Sequence, residues 1–70
     1  MLTKKQENML RIIQDYIDQN GYPPTVRELG ERSGISSTST VHSYIKSIEK
    51  EGYLSSVEGL PRTIKILKRI

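Results

Sequence analysis

The first twenty residues carry apolar positions at helical spacing. Thr3 and Gln6 fit a capping box, in which each side chain bonds the backbone amide of the other residue. Asn20-Gly21 ends the pattern, because Gly tolerates the left-handed conformation at a helix end. We therefore predict a first helix over about residues 4–19. Its apolar stripe consists of Met9, Leu10, Ile12, Ile13, Tyr16 and Ile17.

Two shorter helical patterns follow and are separated by a Gly-Ile-Ser turn. Two prolines then follow that cannot continue a helix, and Thr25 and Glu28 form a second capping box. This predicts a second helix over about residues 26–33. Ser37 is a good N-cap for a third helix over about residues 38–51. The apolar stripe of this third helix consists of Val41, Tyr44, Ile45 and Ile48.

The last third of the chain changes from helical to strand character. The period of the pattern changes after Gly52, which predicts a short strand over residues 53–57. A turn with Gly59 and Pro61 follows, and residues 63–67, which are rich in β-branched side chains, form the predicted returning strand. We predict one β-hairpin. The predicted fold class is therefore mainly α with a small β-hairpin. We expect residues 1–70 to form one winged helix-turn-helix domain with a three-helix core and a two-stranded wing.

Composition narrows the classes of function. The 70 residues contain no Cys and one His, which excludes disulfides and thiolate metal sites and leaves no ligand set for a metal. No apolar run reaches the roughly 20 residues of a membrane span. No Ser-His-Asp set or phosphate-binding glycine loop is present. We expect no metal, no cofactor and no membrane as partner.

The distribution of charge favours a polyanionic partner. The net charge is +3, and the last twelve residues hold four basic and no acidic side chains. No Asp or Glu occurs between Glu31 and Glu49. Basic residues at both ends of the chain, together with an acid-free segment between them, suit nucleic acid. A net charge of this size is also common on an ordinary solvated surface.

The outward face of the third helix carries the candidate chemistry. Small polar side chains let a helix lie deep in the major groove, where base edges present distinct donors and acceptors. The competing interpretations are a polar loop that runs into a helix, and a His42 that merely faces solvent. A run of Ser and Thr costs helix stability, which favours a binding role. The predicted base-reading residues are Ser39, Thr40, His42 and Ser43.

A second group of residues is predicted to contact the DNA backbone. Free amides and hydroxyls at the start of the third helix suit a phosphate, and basic side chains on the wing would release counterions. Arg27 could instead pair with Glu31, and Lys65 could instead deter pairing of the hairpin with other chains. The predicted set is Thr25, Arg27, Ser36, Ser37, Thr38, Arg62 and Lys65.

The sequence resembles the N-terminal DNA-binding domain of the LexA SOS repressors over essentially all of its length. The resemblance rests on residues 2–6, 21–30, 36–42 and 61–64. The Gly-Tyr-Pro-Pro-x-Val-Arg-Glu and Ser-Thr-Val-His segments are specific together and weak apart. The second segment is more similar to the Gram-positive branch of the family than to the proteobacterial branch.

The resemblance implies a winged helix-turn-helix that binds palindromic operators of DNA-damage-response genes in the bacterial cytoplasm, at the nucleoid. It also implies repression relieved by self-cleavage in a C-terminal Ser-Lys peptidase domain, which these 70 residues do not contain. We therefore expect no enzymatic activity of this chain, which is either an excised domain or a stand-alone phage or mobile-element regulator. The resemblance supports the four base-reading positions and adds Lys5 and Lys46 to the backbone-contacting ones.

These observations predict a sequence-specific repressor domain for double-stranded DNA. It would act by occupying promoter DNA, as a monomer in solution that pairs on a palindromic operator. The alternative is a winged helix that binds a partner protein through its wing and third helix. Affinity for duplex DNA that falls steeply with salt would discriminate between the two.

Overall fold

Three helices precede a short antiparallel hairpin in the computed structural model, which describes all 70 residues. This architecture confirms the predicted winged helix-turn-helix. The first helix extends one residue farther than predicted and the third ends one residue earlier. The elements are α1 (Lys4–Asn20), α2 (Val26–Ser33), α3 (Thr38–Lys50), β1 (Leu54–Ser55) and β2 (Lys65–Ile66).

Side-chain caps define the start of each helix. In α1 the Thr3 hydroxyl accepts from the Gln6 amide at 3.2 Å, and the Gln6 side chain accepts from the Thr3 amide at 2.8 Å. Thr25 and Glu28 make the same pair of bonds at α2, at 3.1 and 2.8 Å. Both capping boxes satisfy amide donors that a helix start otherwise leaves without a partner.

The hydrophobic core lies where the three helices and the hairpin meet. Leu10 and Ile13 of α1 and Leu29 of α2 are completely buried. Val41 and Ile48 of α3 are equally inaccessible, and the hairpin adds Leu54 and Ile64. Because the apolar stripe of α3 packs in this core, the opposite side of α3 faces solvent.

The turn between α2 and α3 is tight because Gly30 lacks a side chain. The Ile35 amide donates to the Gly30 carbonyl at 3.1 Å. A Cβ atom on Gly30 would lie 2.9 Å from the Ile35 carbonyl oxygen. This close backbone approach sets the position of α3 against α2.

The wing is shorter than the predicted strands over residues 53–57 and 63–67, and those bounds are wrong. Leu54 pairs with Ile66, and Ser55 pairs with Lys65, and the ladder stops there. The next amides bind side chains instead: that of Ser56 donates to the Glu49 carboxylate and that of Val57 donates to the Thr63 hydroxyl, both at 2.9 Å. Side-chain acceptors have replaced the ladder, so β propensity overestimated the strands.

Candidate nucleic-acid interface

The outward face of α3 presents all four predicted base-reading side chains to solvent. Ser39, Thr40, His42 and Ser43 are exposed. None of these side chains takes part in a hydrogen bond or ion pair within the protein, whereas Val41, which lies between them in the chain, is buried. The fold therefore leaves a polar surface with its donors and acceptors free for an external partner.

The start of α3 holds unpaired backbone donors beside exposed hydroxyls. Ser37 is the N-cap, and its hydroxyl accepts from the Thr40 amide at 3.4 Å. The Val41 amide makes the first helical bond, to the Ser37 carbonyl. The amides of Thr38 and Ser39 consequently have no helical partner. With Ser36 exposed next to them, this end of α3 suits an anion such as a phosphate oxygen.

A groove of about 370 Å³ separates α3 from the wing. Residues at the start of α2 also line it, so α2, α3 and the wing all contribute to its walls. The groove brings together several residues that are predicted from the sequence to contact DNA, although they lie far apart in the chain. The predicted residues that line the groove are Thr25, Arg27, His42, Lys46 and Arg62.

Arg27 projects freely at the start of α2. It is exposed and forms no ion pair with Glu31, the alternative that the sequence left open. Its side chain therefore keeps all its donors available at the groove.

Lys46 lies in the same groove but has a partner there. Its ammonium nitrogen is 3.3 Å from the Glu58 carboxylate of the wing, and the two side chains are 60% and 85% exposed. A pair this exposed contributes little stability and is easily exchanged for another anion. Glu58 also brings a carboxylate beside α3, which sequence reasoning missed because the acid-free segment ends at Glu49.

Arg62 lies along the protein body, with 41% of its side chain exposed. Its guanidinium donates to the Glu28 carboxylate at 3.0 Å, to the Pro23 carbonyl at 3.1 Å and to the Tyr16 hydroxyl at 3.4 Å. It also lies over the Tyr22 ring, 4.9 Å from the centroid. This network was not predicted, and its partners are up to 46 residues away in the chain.

The network shifts both charged groups towards their ionised forms. The Thr25 amide and then the Arg62 guanidinium lower the pKa of Glu28 from 4.5 to about 2. Hydrogen bonds to the Tyr16 hydroxyl and the Glu28 carboxylate raise the pKa of Arg62 above its ordinary value. Bonds to the charged form favour that form, so the pair is ionised over the whole neutral range.

Lys5 and Lys65 lie outside the groove. Lys5 lines a shallow depression with Ser33, Ile35 and Tyr44, beside the α2–α3 turn. Lys65 is exposed on β2 opposite Ser55. The structure thus brings Lys5 close to the α2–α3 turn, and Lys65 is exposed on the wing outside the groove.

The C-terminal basic residues are held against other parts of the fold. Arg69 pairs with Asp18 of α1 at 2.7 Å, and the Ile70 amide donates to the side chain of Gln14, a buried residue, at 2.9 Å. Lys68 lies over the Tyr53 ring. Charge alone therefore does not mark these residues as part of the candidate interface.

Two chemical possibilities lack support in the geometry. No group of three or more acidic or His side chains is arranged to hold a metal ion. No helix is both long and apolar enough to cross a membrane.

Comparison with known proteins agrees with this geometry. A family model described as the LexA DNA binding domain matches residues 1–63. The chain is 50% identical to a LexA repressor of Pelotomaculum thermopropionicum over 66 residues, which is 94% of this chain and 32% of that protein. It is 48% identical to a LexA repressor of Oenococcus oeni over 69 residues, or 99% of this chain and 32% of that protein.

The chain spans about one third of the length of these curated relatives. The part that matches is the DNA-binding domain, and the resemblance predicted from the sequence motifs is confirmed. With the match covering nearly all residues, and with a polar α3 face, a tight α2–α3 turn and a short wing in place, the chain belongs to the LexA DNA-binding domain family.

Proposed function

We propose that this domain binds double-stranded DNA sequence-specifically, with α3 in the major groove and the wing along the adjacent backbone. The observation that carries the proposal is the outward face of α3, where four exposed polar side chains have no partner within the protein. Such side chains match the donor and acceptor pattern of base edges. In this arrangement Ser39, Thr40, His42 and Ser43 read bases.

Backbone contacts supply most of the affinity and set the orientation of the domain. The start of α3 offers free amides and the hydroxyls of residues 36–38 to one phosphate. Arg27 and Lys46 offer positive charge to a DNA backbone that lies in the groove between α3 and the wing. Thr25 lies beside them, and Lys5 and Lys65 contact phosphates outside the groove.

Repression follows from occupancy, because a bound domain blocks polymerase from promoter DNA. The relatives are named LexA repressors, and the family resemblance implies operators of DNA-damage (SOS) response genes. Because its partner would be chromosomal operator DNA, we expect the protein at the nucleoid in the bacterial cytoplasm. Self-cleavage would require a peptidase domain, and no residue of this chain is assigned a catalytic role.

Two copies on one palindrome would give tight binding. A single 70-residue domain makes few contacts, so we expect a monomer in solution with weak affinity for one half-site. Two half-sites at a fixed spacing make the second binding event effectively intramolecular. The spacing then reports the geometry of the pair.

Selection of bound fragments from bacterial genomic DNA, followed by NMR titration, tests the proposal. The selected sequences should share a palindrome, and its duplex should shift amide resonances of residues 36–46 first. A scrambled duplex of the same length is the control, and it should bind more weakly with a similar dependence on salt. Resonances near Arg69, which pairs with Asp18, should stay unmoved.

Two results would contradict the proposal. Equal affinity for selected and scrambled duplexes would remove sequence-specific reading. Shifts confined to another surface, with α3 unmoved, would remove the interface itself and favour the alternative function of a winged helix that binds a partner protein.

A further inference from the structure

Arg62 has an unusual backbone conformation at the point where the wing returns to the body. Its φ is 57°, and it is the only residue other than Gly with a positive φ. A bulky residue reaches this region only when its surroundings hold it there. The side chain of Arg62 makes three hydrogen bonds to its surroundings, to Tyr16, Pro23 and Glu28.

The guanidinium joins three separate parts of the fold. Tyr16 belongs to α1, Pro23 to the α1–α2 connection, and Glu28 to the first turn of α2. A planar fork with five donors can bind all three acceptors at once, and a Lys ammonium on its flexible stem cannot reproduce that geometry.

Glu28 connects this network to the helix-turn-helix. One carboxylate oxygen accepts from the Thr25 amide and caps α2, while the other accepts from Arg62. The wing is thereby tied to the helix that packs directly against α3. Because the hairpin ladder is only two residues long on each side, backbone pairing contributes little to the orientation of the wing.

We propose that Arg62 is a positioning residue, which holds the wing in its DNA-binding orientation through Glu28, Pro23 and Tyr16, and that it does not contact phosphate itself. The proposal rests on the proposed function, since the wing orientation matters to a duplex. It replaces the sequence-based hypothesis of a phosphate contact with one that accounts for the three occupied acceptors.

The variants Arg62→Lys, Glu28→Gln and their combination separate the two roles. Arg62→Lys keeps the charge and removes the fork. Glu28→Gln keeps the capping box, which accepts Gln in that position, and removes the charge that faces Arg62. Arg69→Lys is the matched control, because it makes the same change in a surface pair with Asp18.

Affinity for the selected duplex should fall about tenfold in Arg62→Lys, since the wing loses its preorganised orientation. Glu28→Gln should also weaken binding, although it removes a negative charge near DNA. The double variant should lose little more than either single variant, because both changes break one network. Arg69→Lys should bind as the wild type does.

A measurement without DNA tests the geometric half of the proposal. Residual dipolar couplings of the amides of residues 56–63 report the orientation of the wing relative to the three helices. They should change in Arg62→Lys and Glu28→Gln while the couplings of α1 and α3 stay constant, which also shows that the variants are folded. This readout holds even if the wild type fails to bind duplex DNA, so it distinguishes failure of the network from failure of the proposed function.

Three results would overturn the proposal. Wild-type affinity in Arg62→Lys would show that positive charge alone matters, as a phosphate contact requires. Tighter binding by Glu28→Gln, with the effects of the two changes adding in the double variant, would show that the two residues act independently. Unchanged couplings in the wing would show that Arg62 does not orient it.

Discussion

The outward face of α3 and the base of the wing are both polar, yet the fold treats them in opposite ways. On α3, the side chains of residues such as Ser39 and His42 have no partner within the protein. At the base of the wing, Arg62 binds three acceptors in three elements. A polar group that the fold leaves free is available to a ligand, and one that the fold satisfies contributes to shape.

Lys46 stands between these two extremes. It faces the groove as the α3 residues do, but it pairs with Glu58 through a contact in which both side chains are largely exposed. Such a pair is weak enough to yield to a phosphate. Positive charge by itself therefore does not identify a DNA contact; the competing partner and its exposure decide.

The largest effect is expected from Gly30→Ala, which should break the placement of α3 on which its whole outward face depends. The new Cβ would lie 2.9 Å from the Ile35 carbonyl oxygen, and a backbone atom cannot rotate away. We expect a loss of about 2–3 kcal/mol in the free energy of unfolding, measured by urea denaturation.

Glu31→Ala is the control for Gly30→Ala. Glu31 is exposed on the same helix and forms no ion pair, so its removal should change the free energy of unfolding by less than about 0.5 kcal/mol. Equal stability of Gly30→Ala and the wild type would mean that the turn relaxes freely and does not set the position of α3.

His42→Ala tests the outward face of α3, whose polar side chains have no partner within the protein. Its loss should cost about 2 kcal/mol on the selected duplex and relax base preference at one position, because a base-edge contact disappears. Affinities for selected and scrambled duplexes at one salt concentration provide the measurement. A loss of the same size on both would assign His42 to the backbone or to solvent.

Lys46→Ala and Glu58→Gln change the two halves of one ion pair and should act in opposite directions. Lys46→Ala should weaken all duplexes alike and lower the slope of log affinity against log salt by about one unit. Glu58→Gln should strengthen all duplexes roughly twofold, because Lys46 no longer has an internal competitor. Binding isotherms over a range of salt check both, and weaker binding by Glu58→Gln would show that Glu58 supports the interface.

The smallest effect is expected in the pH dependence of stability that comes from Glu28, whose carboxylate is hydrogen-bonded at the base of the wing. The folded-state pKa of Glu28 is about 2 against an ordinary 4.5, so its stabilising contribution is complete above pH 4.5 and lost as the pH falls towards 2. In Arg62→Ala the pKa should rise but stay below 4.5, because the Thr25 amide is the larger cause. NMR titration of the Glu28 carboxyl carbon measures this, and an unchanged pKa would exclude an interaction with Arg62.

Local patterns in the sequence were sufficient to predict the three helices. Capping boxes at Thr3 and Thr25 and the N-cap at Ser37 are interactions over three residues, and each is present in the structure. The apolar stripe of α3 likewise determines which of its residues face outward. Interactions of this range depend on residue type and spacing alone, so they can be read before the fold is known.

The wing was less predictable because its strands end where side chains replace the ladder. Glu49 and Thr63 capture the amides of Ser56 and Val57, and neither contact has a signature in β propensity. The Thr25–Glu28 motif was recognisable in the sequence, but the second oxygen of Glu28 accepts a hydrogen bond from Arg62, 34 positions away. No local sequence pattern predicts such a bond.

The residues alone determined the order of the elements, the direction of each helical stripe and the set of polar side chains at the start of α3, because these depend on neighbours within one or two helical turns. Tertiary structure alone decided that Glu58 faces Lys46 and that Arg62 binds α1 and α2. The reason is that a side chain takes its nearest satisfactory partner in space, and that partner is defined only once the helices and the wing have packed together.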